Sequence, residues 1–135
     1  MKLLLDTHAL LWWLADDGRL GSPMRELIAD PSTDILVSMV SLWEIVVKVR
    51  VRKLEADIDE ILEAVAREGF GLLEISPAHL RVLAGLPRHH RDPFDHLLIA
   101  QAIAEEATFI SEDANVLKYP VNLIACSSPG PSPAA

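Results

Sequence analysis

An α/β fold, arranged as a three-layer α/β/α sandwich around a parallel sheet, is what the sequence predicts. Short apolar runs of strand length alternate with helix-length segments over most of the chain, and such alternation implies parallel strands covered on both faces by right-handed crossovers. Half of the 135 residues are hydrophobic, enough for one sizeable core. That length leaves little for a second module.

Lys2 to Leu5 reads as a buried strand, followed by a helix over His8 to Ala15 that the run Asp16, Asp17, Gly18 breaks. Ser22 with Pro23 predicts a helix start, since serine caps free amides and proline fits the first turn; that helix runs to about Ala29. Asp34 to Ser38 is a second strand, and Met39 to Val51 a long apolar helix carrying Glu44 and Lys48. Within 57–68, Ile58, Ile61, Leu62 and Val65 form one apolar stripe against acids on the other face, and Gly69 stops the helix.

Leu72 to Ile75 is expected as a third strand, and Ser76 with Pro77 opens a helix through about Ala84. A loop from Gly85 to Arg91 leads into a helix that begins at Asp92, Pro93 and continues to Glu106. Thr108 to Ile110, a short helix over Glu112 to Leu117, and a fifth strand over Val121 to Ala125 complete the pattern. Residues 1–126 are expected as one domain, and the serine- and proline-rich 127–135 as a disordered tail.

A lone cysteine, Cys126, excludes an internal disulfide and has no zinc or redox motif around it. Asp6 and His8 interrupt the N-terminal leucine run before it reaches the length of a signal peptide's apolar region, and no other stretch is long and apolar enough to cross a bilayer. The expectation is a soluble, cytoplasmic protein with no membrane partner. Net charge is −8, which argues against broad electrostatic binding to nucleic acid. The cations are grouped, however, in Arg50 to Lys53 and in Arg88 to Arg91.

Four acids follow apolar segments: Asp6, Glu44, Asp95 and Asp113. Helix N-termini favour carboxylates, so each has an ordinary explanation. Asp6 caps the helix after the first strand, Ser41 with Glu44 matches a capping box, Asp92 with Pro93 and Asp95 matches a cap and first turn, and Asp113 fits the first turn after Ser111. In a parallel sheet, though, helices start at the edge where strands end, so even the capping account crowds four carboxylates along one rim. Like charges so placed raise each other's proton affinity unless a cation lies between them, and oxygen-only ligand sets suit Mg2+ or Mn2+.

Glu44 is the sharpest case, because its helix is otherwise apolar apart from Ser41 and Lys48. Lys48, one turn later, is the alternative partner. Arg88, His89, His90 and Arg91 adjoin Asp92 and Asp95, where they can hold a phosphate backbone or stand as a plain solvated loop. Two adjacent histidines without cysteine or a spaced third histidine are a weak metal signal. Trp12 and Trp13 point about 100° apart on a helix and are expected to pack between neighbouring elements, one of them being open to an interface role. Trp43 is expected in the core.

The segments LLLDTHALLW (Leu3–Trp12), VSMVSLWEI (Val37–Ile45), RDPFDHLLIAQA (Arg91–Ala102) and FISEDANV (Phe109–Val116), in that order, resemble PIN domains, specifically VapC-type toxins of VapBC toxin–antitoxin modules. The resemblance covers nearly the whole chain except the tail. It implies an acidic pocket that binds Mg2+ or Mn2+ and cleaves RNA endonucleolytically, with Asp6, Glu44, Asp95 and Asp113 at the matching positions. It also implies a homodimer and a VapB-like antitoxin that inserts a peptide near the pocket. Arg88, Arg91 and His96 are the candidate RNA contacts; His96 stands where similar sequences usually carry arginine, which puts a permanent cationic contact in doubt.

On that reading a metal-activated water attacks phosphorus, with Asp6 and Asp95 as principal ligands and Glu44 and Asp113 completing the set. Two rivals differ in class. An inert PIN-like interaction module would not need all four acids. A haloacid-dehalogenase-like phosphatase needs a second aspartate two residues after the first, and His8 stands there.

Overall fold

The structure is a computed structural model and describes residues 1–127. Five parallel strands form one sheet in the order β3-β2-β1-β4-β5: β1 (Lys2–Leu5), β2 (Asp34–Ser38), β3 (Gly71–Leu73), β4 (Thr108–Ile110) and β5 (Leu123–Ile124). The helices are α1 (Thr7–Leu14), α2 (Ser22–Ala29), α3 (Met39–Arg50), α4 (Ile58–Glu68), α5 (Pro77–Gly85) and α6 (Pro93–Ala104), with a 3-10 turn over Ala114–Lys118. The expected three-layer α/β/α architecture is present.

Alternation along β1 assigns the two cores. Leu3 and Leu5 point into one cluster with Ala9, Leu10, Met24, Ile28, Ile45, Ile61 and Val65, whereas Leu4 points into another with Leu98, Ile99, Ala102 and Phe109. The first cluster joins the sheet to α1, α2, α3 and α4; the second joins it to α6, with Leu83 and Leu86 of the α5 region packed on its margin. All three leucines are fully buried, and each such side chain is worth about 1.5–3 kcal/mol of burial.

The chain builds outward from β1 to β2 and β3, then returns to lay β4 and β5 on the other side. The order therefore reverses between β1 and β4, and in open parallel sheets the crevice beyond the strands' carboxyl ends at such a reversal is where ligands bind. Asp6 follows β1 directly, and Ser111 follows β4.

Several elements differ from expectation for local reasons. The third strand is Gly71–Leu73 rather than 72–75, because β2, its one partner among the described residues, ends where the Ser38 hydroxyl turns to cap α3 by accepting from the Val40 N–H at 3.0 Å. The fifth strand shrinks to Leu123–Ile124, since it pairs only with the short β4. Gly21, not Ser22, caps α2, and Ser22 is its first residue. The Ser41–Glu44 capping box does not form, because α3 begins three residues earlier at the Ser38 cap. Gly69 ends α4 in the left-handed conformation (φ 74°), the geometry glycine adopts without steric cost.

Trp43 is the clearest correction: it is 55% exposed. It shares with Met39, four residues earlier, the outward face of α3, while Val40, Ser41, Glu44 and Ile45 turn inward. Its ring packs edge-on against Phe94 at 4.8 Å. Trp12 and Trp13 are both only partly buried, Trp13 against Phe70 and Trp12 beneath the Arg19 guanidinium. Ser127, the first residue of the expected tail, donates its N–H and hydroxyl to Glu112; residues 128–135 lie outside the described residues. No helix among the described residues is long and apolar enough to cross a membrane.

Candidate metal centre

Beyond the carboxyl ends of β1 and β4 lies a hollow of about 370 Å³ lined by six carboxylates: Asp6, Glu44, Asp92, Asp95, Glu112 and Asp113. The two permanent cations on its walls are Lys48 and Arg19. All four acids singled out by sequence thus line one hollow, although they come from the residue after β1, from α3, from α6 and from the segment after β4.

Asp6 is fixed on both carboxylate oxygens. The His8 N–H donates to Oδ1 at 2.7 Å, which is the α1 cap, and the Ser111 hydroxyl donates to Oδ2 at 2.6 Å. Ser111 Oγ in turn accepts the Asp113 N–H at 3.1 Å, so one serine links two of the acids. Burial pushes the Asp6 carboxyl above the usual range, the two hydrogen bonds oppose that, and the nearby Glu44 charge adds to it.

Glu44 is 3% exposed and is also held on both oxygens. Lys48 Nζ lies 2.7 Å from Oε2, and the Thr7 hydroxyl donates to Oε1 at 2.6 Å. Because Thr7 has a single hydroxyl proton and the carboxylate takes it, the Ser41 hydroxyl 3.0 Å away donates to Thr7 Oγ1. The expected Glu44–Lys48 pair is therefore real, and a polar chain from Ser41 supports it.

Asp95 sits in the first turn of α6, capped by Asp92, whose Oδ1 accepts the Phe94 and Asp95 N–H groups. Its carboxyl is pushed up to about 8, first by burial, then by the charges of Asp92 and Asp6 and by a hydrogen bond and charge from Asp113. Asp113 caps the 3-10 turn through the Asn115 N–H at 2.9 Å rather than lying inside it. A carboxylic acid whose proton affinity is raised this far among five other acids marks a place short of positive charge.

Sequence reasoning missed His90. Its Nε2 lies 3.4 Å from Asp95 Oδ2, its Nδ1 lies 2.9 Å from the Tyr119 hydroxyl, and the side chain is 11% exposed. One donor atom each of His90, Asp95 and Asp113 lie within 4.8 Å of one another. The adjacent pair of histidines in the sequence was the available signal, but only the fold shows that one of the two turns toward the acids. Thr7, His8 and Ser111 lie inside the segments that carry the resemblance, but their contacts with Glu44 and Asp6 are found only in the structure.

Of the candidate RNA contacts, Arg88 and Arg91 line a second hollow of about 330 Å³ with His89 and His90. His96 is not brought to the acidic hollow. It lines a separate cleft with Leu83, Leu86 and Pro87, and its Nε2 is buried without a hydrogen-bond partner among the described residues. Burial, then the proximity of His90, lowers its proton affinity, so it stays uncharged near neutrality.

No curated protein matches the chain in sequence. Among solved structures the fold is similar to VapBC2 from Rickettsia felis bound to a DNA fragment from its promoter, at 19% identity and a TM-score of 0.74, covering 93% of this chain and 98% of that one. It is similar to DNA-bound VapBC from Salmonella typhimurium at 14% identity and a TM-score of 0.67, covering 93% and 98%. VapBC-5 from Mycobacterium tuberculosis, a member of a family of toxin–antitoxin systems, gives 20% identity and a TM-score of 0.59, covering 92% and 96%. The PIN domain family model matches residues 3–122, nearly the whole of the described chain, and on that match the protein belongs to the PIN domain family.

Proposed function

We propose that the protein is a metal-dependent endoribonuclease and the toxin of a toxin–antitoxin pair, with residues 1–126 as its ribonuclease domain. The observation that carries this reading is the convergence of Asp6, Glu44, Asp95 and Asp113 on one hollow, with Asp95 pushed to about 8 by burial and then by its acidic neighbours. A donor set dominated by carboxylates fits a hard divalent cation, Mg2+ or Mn2+. Asp6, Asp95 and Asp113 would hold the ion, with Glu44 completing the set.

A divalent cation there supplies countercharge for the phosphodiester oxygens and acidifies an attacking water. The chain's own residues prepare the place for it. Ser111 and the His8 amide fix the orientation of Asp6, Thr7 and Lys48 fix Glu44, and the Asp92 cap fixes the α6 terminus that carries Asp95. Arg88 and Arg91 line a hollow on the loop before α6, which supports the reading that they contact the RNA backbone.

The toxin assignment is supported by the likeness to VapBC structures, and it brings an antitoxin of the VapB kind as partner. A homodimer is supported by the large apolar side chains left in solvent, Met39 and Trp43 on α3, Leu72 and Ile75 at the sheet edge, and Leu80 on α5. A cytoplasmic setting is consistent with a single, buried Cys126.

The test is incubation of the purified protein with a panel of RNAs, with Mn2+, with Mg2+ and with chelator. Cleavage that requires the ion and is lost in Asp95→Asn, a variant that keeps shape and removes ligand charge, is the expected result. Full activity in Asp95→Asn, or cleavage that persists under chelation, sinks the assignment. For the toxin reading, growth arrest on expression alone and relief by a co-expressed antitoxin are expected.

A further inference from the structure

We propose that His90 supplies an imidazole nitrogen to the cation held by Asp95 and Asp113, making a mixed nitrogen and oxygen donor set that favours Mn2+ over Mg2+. This inference rests on the metal reading above and adds a ligand to it that lies outside the four-acid set.

The geometry is that of a ligand group. Donor atoms of His90, Asp95 and Asp113 all fall within 4.8 Å of one another. Ligands about 2.1 Å from one ion in an octahedron are separated by roughly 3 Å when adjacent and roughly 4.2 Å when opposite, so small side-chain adjustments suffice. His90 Nε2 is the nitrogen that faces the acids, 3.4 Å from Asp95 Oδ2, a distance long for a hydrogen bond and suited to two groups that share a third.

The other side of the ring is built to hold that orientation. His90 Nδ1 lies 2.9 Å from the Tyr119 hydroxyl, and the ring packs edge-on against His96 at 4.7 Å and Tyr119 at 5.5 Å. Tyr119 Oη is itself anchored by the His89 N–H at 3.0 Å. The hydroxyl accepts the His89 N–H, and with a cation at Nε2 the proton of His90 stands on Nδ1 and is donated to the same oxygen. A histidine ligand is normally fixed in this way by the hydrogen bond at its second nitrogen.

One imidazole among carboxylates changes which ion the site prefers. Mg2+ takes oxygen in a near-ideal octahedron, whereas nitrogen donors raise affinity for first-row transition ions, of which Mn2+ also accepts carboxylates well. The ordinary alternative is that His90 only hydrogen-bonds Asp95 and never touches the ion.

Pulsed electron paramagnetic resonance of the Mn2+-loaded full-length protein separates the two, because a directly bound imidazole gives nitrogen hyperfine coupling. Calorimetric titration with Mn2+ and Mg2+ accompanies it for the wild type, His90→Ala, His8→Ala and Asp95→Asn. The expected result is nitrogen coupling in the wild type and His8→Ala that disappears in His90→Ala. Mn2+ affinity of His90→Ala is expected to fall by about 10–100-fold, with a smaller loss for Mg2+. Mn2+ binding without nitrogen coupling in the wild type, or coupling that survives in His90→Ala, overturns the role of His90 and leaves the carboxylate site standing. If the wild type binds Mn2+ no better than Asp95→Asn does, the carboxylate site itself fails and the His90 proposal with it.

Discussion

Ser111 and Asp6 are 105 positions apart in the chain, yet the Ser111 hydroxyl donates to Asp6 Oδ2 at 2.6 Å. The contact exists because β1 and β4 are adjacent and in register, Leu5 opposite Ile110, so the next residues on each strand leave the sheet side by side. Ser111 is 1% exposed and also accepts the Asp113 N–H. It thus sets the spacing between two of the acids.

Ser111→Ala removes a donor to a buried carboxylate and an acceptor for the half-buried Asp113 amide. Hydrogen bonds to charged groups contribute about 1.5–3 kcal/mol, so urea unfolding should show a loss of about that size. Asp6 also becomes harder to ionise, since the Ser111 bond is the main force lowering its proton affinity against burial. Mn2+ binding by calorimetry should therefore weaken along with stability. Unchanged metal affinity in a destabilised variant would show that Ser111 only supports the fold.

Lys48→Met tests the support of Glu44. The carboxylate is 4% exposed and Lys48 is 34% exposed, so the variant leaves a buried charge with only the Thr7 hydroxyl. Breaking a fully buried pair costs about 3–5 kcal/mol; with the ammonium partly in water, about 1–2 kcal/mol is expected in denaturant unfolding. Added Mn2+ should recover part of it if Glu44 faces the ion, whereas a purely structural pair gives no recovery.

The sequence discloses the sheet and the acids because both are written locally. Lys2–Leu5, Asp34–Ser38 and Thr108–Ile110 are short apolar runs bounded by polar residues, and they form strands with those bounds. The edge strands β3 and β5 are shorter than their apolar runs, since an edge strand is limited by how long its single partner continues. Ser41 and Glu44 match a capping box in spacing, but Ser38 takes the cap, which frees Ser41 and Glu44 to meet Thr7 across the α1–α3 contact. Trp43 and His90 were illegible for the same reason: which way a side chain turns is decided by elements distant in sequence, Phe94 for one and Tyr119 for the other.

The metal-free protein should lose stability as pH rises. The folded Asp95 carboxyl titrates at about 8. The unfolded one titrates at about 3.9, so between these values the folded state holds a proton that the unfolded chain has released. Stability is then full below about pH 4 and declines as pH climbs toward about 8, with Asp6 acting in the same direction. Thermal unfolding in chelator across that window should show the decline, and Asp95→Asn, which mimics the protonated acid, should flatten it. Mn2+ should stabilise the wild type increasingly with pH; a wild-type curve that rises from pH 4 to 8 in chelator contradicts the crowding of acids at this site.

RNA binding should depend on salt through Arg88 and Arg91 and not through His96. The chain carries a net charge of −8, so attraction to RNA must come from local cations, and these two arginines line a hollow with His90, whose ring contacts Asp95. Each phosphate contact to a single strand contributes about 0.7 to the slope of log affinity against log salt, so Arg88→Ala and Arg91→Ala should each flatten that slope by about this much. Both losses should be nearly uniform across RNA sequences, as expected for backbone contacts. His96→Ala should leave the slope unchanged, because the half-buried imidazole has its proton affinity lowered and lines a cleft that the acids do not reach. Fluorescence anisotropy on the Asp95→Asn protein, which separates binding from cleavage, makes the comparison; slopes unaltered by either arginine substitution would place the RNA path elsewhere on the surface.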